Sequence, residues 1–147
     1  MTLNTAIVTD PRREATVGQH RSVPLARKIV GGFFLVSGGV HLGLVAADAD
    51  VYRHFADGAL FSFVGVGWQE FVMARPELYG LFLMAGEIAL GTMLLIGGRA
   101  AYVGWSGVIA FHVLLLVFGW GVWLWAVPVL AVMVPMALRD VRGGCRP

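Results

Sequence analysis

The sequence predicts an all-α integral membrane protein: a four-helix transmembrane bundle with a long outer loop that is interfacial or re-entrant. Three observations lead there. Of 147 residues, 58% are hydrophobic and only 14% charged, against roughly 45–50% and about 25% in an ordinary soluble domain. Mean hydropathy is +0.76. The charges are also segregated: none falls between Lys28 and Asp48, and between Leu78 and Leu138 only Glu87 and Arg99 occur. A helix needs roughly 20 apolar residues to span a bilayer, so these stretches hold four spans.

The first span is read from Lys28 to Ala47 and the second from Leu78 to Gly98, where Arg99 breaks the apolar run. The third covers Ala101 to about Gly119, and the fourth about Gly121 to Leu138. The last two are joined at Gly119-Trp120-Gly121. Pro128 and Pro135 lie seven residues apart in the fourth span, on one helical face, a placement tolerated where neighbouring helices satisfy the freed carbonyls. The chain thus divides into a tail (1–26), a membrane domain (27–140, with an outer loop at 48–77) and a short C-terminal tail (141–147).

Arg12, Arg13, Arg21, Arg27, Lys28, Arg99, Arg139, Arg142 and Arg146 all fall on one side of such a bundle, and only Arg53 and Arg75 on the other. The positive-inside rule predicts a plasma-membrane protein with both termini in the cytoplasm. Tyr79, Phe118, Trp120, Trp123 and Trp125 mark the outer interface, Tyr102 and Trp105 the inner. The basic pI near 9.1 is accounted for by topology and anionic lipid, and no basic patch interleaved with aromatics points to nucleic acid. The polar stretch before Ile29 lacks the apolar core of a signal peptide. The single cysteine, Cys145, has no partner for an internal disulfide. The partners expected are the bilayer and either other membrane subunits or a second copy.

The loop 48–77 is about 30 residues long, long for a bundle connection. Its middle, "GALFSFVGVGWQEFVMA", is too apolar for disorder and is expected to cap the outer mouth of the bundle.

The chemistry concentrates in "LFLMAGEIALGTMLLIGG", where one carboxylate, Glu87, sits mid-span. An ionisable group inside lipid almost always faces the bundle interior and finds a partner. His41 in the first span and His112 in the third lie within about one turn of the same depth as Glu87. The three are the candidate polar cluster, in the outer half of the membrane. Gly39 and Gly43, four apart beside His41, form a small-x-x-x-small pair that lets helices approach; Gly86 and Gly91 are the corresponding candidates beside Glu87. Such a cluster serves either as hydrogen-bonded packing or as a site for a proton, a ligand or a quinone headgroup. A metal held by two histidines and a carboxylate is a weaker reading, because three residues on three helices make no spacing signature. Bis-histidine haem ligation by His41 and His112 is weaker still. His20 and His54 lie outside the spans. Ser37, Ser62 and Ser106 have no histidine–acid partner at a hydrolase spacing, and no glycine-rich phosphate loop occurs.

The block "PELYGLFLMAGEIALGTMLLIGGRAAYVGWSGVIAFHVLLLVFGW" resembles the core of the DoxX-like family of small four-span membrane proteins. The resemblance rests on Glu87 in a glycine-rich second span, the Leu94-Leu95-x-Gly97-Gly98 end, Arg99, and a small-residue third span. "GGFFLVSGGVHLGL" is similar to that family's opening helix, with His41 where a lysine is often found. The resemblance implies a subunit of a redox-linked, respiratory-type membrane complex, in which Glu87 and the histidines handle a quinol or its protons. The competing expectations are a non-catalytic accessory subunit that docks on a larger membrane complex, and a lipid-binding bundle with its pocket beneath the outer loop.

Overall fold

A computed structural model describes residues 24–144. The polar tail that contains His20, and the terminal residues with Cys145, lie outside the described residues. Helix α1 spans Leu25–Asp48, α2 Ser62–Gly67, α3 Pro76–Ile96, α4 Gly98–Leu115 and α5 Trp120–Gly144. No strand occurs among the described residues. Four of the helices are long and apolar enough to cross a membrane, which makes the chain an all-α, multi-pass membrane bundle.

The helices end where glycine permits it. Gly97 and Gly98 turn α3 into α4 with φ of 84° and 58°, and Gly119, at 84°, turns α4 into α5. Such values are costly for any residue with a Cβ. Arg99 therefore lies in the first turn of α4 and does not itself break the helix. At the other end α5 runs to Gly144, beyond the expected stop at Leu138, and so carries Arg139, Asp140 and Arg142. Pro128 and Pro135 are both exposed and leave α5 continuous.

The closest helix pair is α1 with α3. A Cβ on Gly91 would lie 2.7 Å from the Gly31 carbonyl oxygen, and one on Gly38 would lie 3.1 Å from the Met84 carbonyl oxygen. Gly104 lets α4 approach Leu94 in the same way. Of the four glycines expected to mediate packing, only Gly91 does so. Gly39, Gly43 and Gly86 are exposed, and a Cβ on any of them would meet nothing within 4 Å. The contact face of α1 runs through Val30, Phe34, Gly38 and His41, at helical spacings of three and four, and Gly39 and Gly43 point away from it. The core collects Val30, Phe34, Leu94, Trp105, Val108, Met133 and Ala137 from all four long helices.

The outer loop is built from three pieces. A 3₁₀ helix covers Ala49–Ala56, followed by α2 and a π-helical turn over Trp68–Val72. The part that docks is its first half. Tyr52 and Ala56 are buried, and Phe55, Trp68 and Phe118 form an aromatic trio with ring centroids 4.7–5.3 Å apart. The Leu60 amide donates to the Val117 carbonyl at 2.9 Å. The rest is a correction to a fully seated cap: Leu60, Phe61, Phe63, Val66 and Phe71 are exposed, and α2 buries none of its residues. These side chains suit a segment lying at the membrane interface.

Candidate functional site

Glu87 lies on the buried stripe of α3 with Gly80, Gly91 and Leu94. It is 6% exposed. Its Oε1 is 3.6 Å from His41 Nε2, close enough for charge interaction but beyond a hydrogen bond. Its Oε2 is buried with no hydrogen-bond partner.

His41 faces two ways. Its Nδ1 is 2.7 Å from the Tyr52 hydroxyl, and the two rings stack with centroids 5.8 Å apart and 25° between planes. The imidazole has two tautomers available: with its proton on Nδ1 it donates to the Tyr52 oxygen and leaves Nε2 as an acceptor facing Glu87. With the proton on Nε2, the Tyr52 hydroxyl donates to Nδ1 instead. The result is a string of three exchangeable groups: phenol, imidazole and carboxyl.

Tyr52 was not legible as a member, because it comes from the loop. Several local devices deliver it. The Asp48 side chain accepts from the Asp50 amide at 2.9 Å, an Asx-type cap that starts the 3₁₀ helix. Trp68 Nε1 donates to the Tyr52 carbonyl at 2.9 Å, and Gln69 Nε2 to the Arg53 carbonyl at 2.8 Å. These bonds fasten the π turn to the 3₁₀ helix. On α3, Gly80 makes room: a Cβ there would lie 3.1 Å from the Tyr52 ring and would overlap Val45.

His112 is not joined to the other two. It is 1% exposed, and its Nδ1–H donates to the Val108 carbonyl one turn back at 2.9 Å. Phe34, Phe111 and Trp125 surround it edge-on, at 5.5–5.9 Å between centroids. Among the described residues no ion pair links it to Glu87. The expected trio is therefore a pair, His41 with Glu87, extended outward by Tyr52. Among the described residues no three His, Cys, Asp or Glu side chains converge as a metal site. His54 is exposed and bonds Asp57 on the loop surface at 2.8 Å.

A second polar cluster sits at the opposite end of the bundle. Asp140 Oδ2 accepts from Arg27 Nε at 2.6 Å and from Trp105 Nε1 at 2.9 Å. It ties α1, α4 and α5 together, and Arg27 also lies against the Gly97 turn. The signal in the sequence was Asp140 itself, a lone acid among the basic residues at that end.

A half-open apolar hollow of about 220 Å³ is lined by Trp68, Val72, Tyr79, Phe82 and Leu83.

The fold and site together define a small multi-pass membrane bundle with one buried acid–imidazole–phenol string. No known protein family's sequence profile matches the chain, no curated protein matches it in sequence, and no solved structure matches it.

Proposed function

We propose that the protein is a small integral membrane subunit of a redox-linked, quinol-type complex, in keeping with the DoxX-like resemblance, and that Glu87, His41 and Tyr52 carry protons for it. What supports this reading is the buried Glu87 Oε2 with no partner. An unpaired buried acceptor costs about 1–3 kcal/mol, and intramembrane ionisable groups are retained mainly where they work. A quinol hydroxyl is a donor that such an oxygen would take up. The Glu87 carboxylate takes up the quinol proton and passes it to His41 Nε2, while the ring gives its Nδ1 proton to the Tyr52 oxygen and the hydroxyl proton of Tyr52 leaves on the loop side. Electrons released in the same oxidation go, on this reading, to a redox centre on a partner subunit. The half-open apolar hollow is lined by Trp68, whose indole bonds the Tyr52 carbonyl, and offers an apolar surface to a ring or isoprenoid segment.

The same reading places the Arg27–Asp140 end in the cytoplasm and the loop 48–77 outside the plasma membrane. A second reading is an accessory subunit without catalysis. It draws on the outward face of α1, where Gly39 and Gly43 leave room for a helix of another subunit.

Mild-detergent purification from the native membrane, with mass spectrometry and a visible spectrum of what co-purifies, tests the choice. Quinone and redox-active subunits are expected. A stoichiometric non-redox complex without quinone refutes the first reading in favour of the second.

A further inference from the structure

The charges of the described residues divide by end. At the end where Arg27 meets Asp140 lie Arg27, Lys28, Arg99, Arg139 and Arg142, with Asp140 as the sole acid. At the other end Asp48, Asp50, Asp57, Glu70 and Glu77 outnumber Arg53 and Arg75. The contacts of Arg27 with Asp140 and with the Gly97 turn bring the start of α1, the α3–α4 turn and the end of α5 to one place. Asp140 is already engaged by Arg27 and Trp105. Lys28, Arg99, Arg139 and Arg142 are exposed and form no ion pair with any described residue.

We infer that these four cations form a seat for the headgroups of anionic phospholipids. Each lies at the end of an apolar span, the level at which a bilayer presents its phosphates. Among the described residues the one acid at that end, Asp140, is already engaged by Arg27 and Trp105. A lipid with net negative charge supplies the anion, whereas a zwitterionic lipid brings an ammonium that offsets its phosphate. Tyr102, 41% exposed and three residues after Arg99, is a further residue suited to that interface. The seat is independent of the proton string and holds whichever reading of Glu87 is correct.

Native mass spectrometry of the full chain, with phosphatidylglycerol and phosphatidylcholine of identical acyl chains supplied equally, tests it. Retention should favour phosphatidylglycerol. Each neutralisation, Lys28→Gln, Arg99→Gln, Arg139→Gln or Arg142→Gln, should lower the preference by up to about fivefold, the equivalent of about 1 kcal/mol per basic residue at an anionic surface. The fourfold Gln variant should show none, and Arg99→Lys/Arg139→Lys/Arg142→Lys should keep it. Rising salt should erode the preference of the wild type, a readout that needs no variant to fold. Equal retention of both lipids by the wild type, a preference indifferent to salt, or a preference that survives in the fourfold Gln variant overturns the proposal. The first of these outcomes would leave an acidic protein surface as the patch's partner.

Discussion

The bundle buries two carboxylates, Glu87 mid-span and Asp140 at the Arg27 end, and treats them differently. Asp140 directs one oxygen at two donors, Arg27 and Trp105, so its charge is compensated and hydrogen-bonded. Glu87 has one oxygen 3.6 Å from His41 and the other with no partner. A satisfied buried charge behaves as a clasp. An unsatisfied one lowers stability unless something else comes to it. If Glu87 carries protons as proposed, substitutions at Asp140 should act on stability and those around Glu87 on activity.

The largest stability effect should come from Asp140→Ala. It leaves the Arg27 guanidinium and the Trp105 indole N–H without their acceptor, and breaking a buried pair costs roughly 3–5 kcal/mol. Arg27 is partly exposed, so the lower end of that range is expected, read as a fall in thermal midpoint in detergent. If Asp140→Ala were as stable as wild type, the clasp would be no clasp. Gly91→Val comes next. Its Cβ would face backbone, the Gly31 carbonyl and the Leu35 amide, and overpacking of this kind costs about 1–3 kcal/mol. Gly39→Val, on the outward face of the same contact pair, should be neutral in the isolated protein, and the contrast is measurable by the same melting curves.

Much of the fold was legible, and the limits have physical causes. The four spans follow from segregated charge, because lipid excludes it. Glu87 and His41 were placed near one another by common depth and by the small residues beside each. Gly39 and Gly43 were put on the contact face as a small-x-x-x-small pair beside His41, but each stands two residues from His41, about 200° around the helix, and so points outward. His112 was expected to join because a buried imidazole needs a partner. It found one on its own helix, the Val108 carbonyl, an outcome that spacing along the chain does not reveal. Tyr52 was missed because a loop residue reaches the bundle only through the Asp48 cap and the Trp68 and Gln69 bonds. Asp140 was missed because the fourth span was stopped at Leu138.

Smaller effects sharpen the contrast. Gly119→Ala combines φ of 84° with a Cβ that would overlap the Gly58 carbonyl. Such backbone strain costs on the order of 1–3 kcal/mol, and it should loosen the loop, seen as faster hydrogen exchange at the Leu60 amide. Tyr52→Phe removes the hydroxyl bonded to His41 and should cost about 1 kcal/mol of stability, while lowering turnover more than that loss explains. A Tyr52→Phe variant with unchanged turnover would end the relay at His41. Cys145→Ser should change neither stability nor assembly.

The most direct test of the proton-carrying role compares wild type with Glu87→Gln, purified in parallel from the native membrane, for assembly, bound quinone and quinol-oxidising turnover. The carboxamide keeps the size and hydrogen-bonding capacity of the side chain but cannot exchange a proton near neutral pH. The account predicts normal assembly and retained quinone with turnover reduced about 10²–10⁴-fold, the span expected for loss of a proton-transfer group. Glu87→Gln turning over at the wild-type rate would contradict it and leave Glu87 as packing alone.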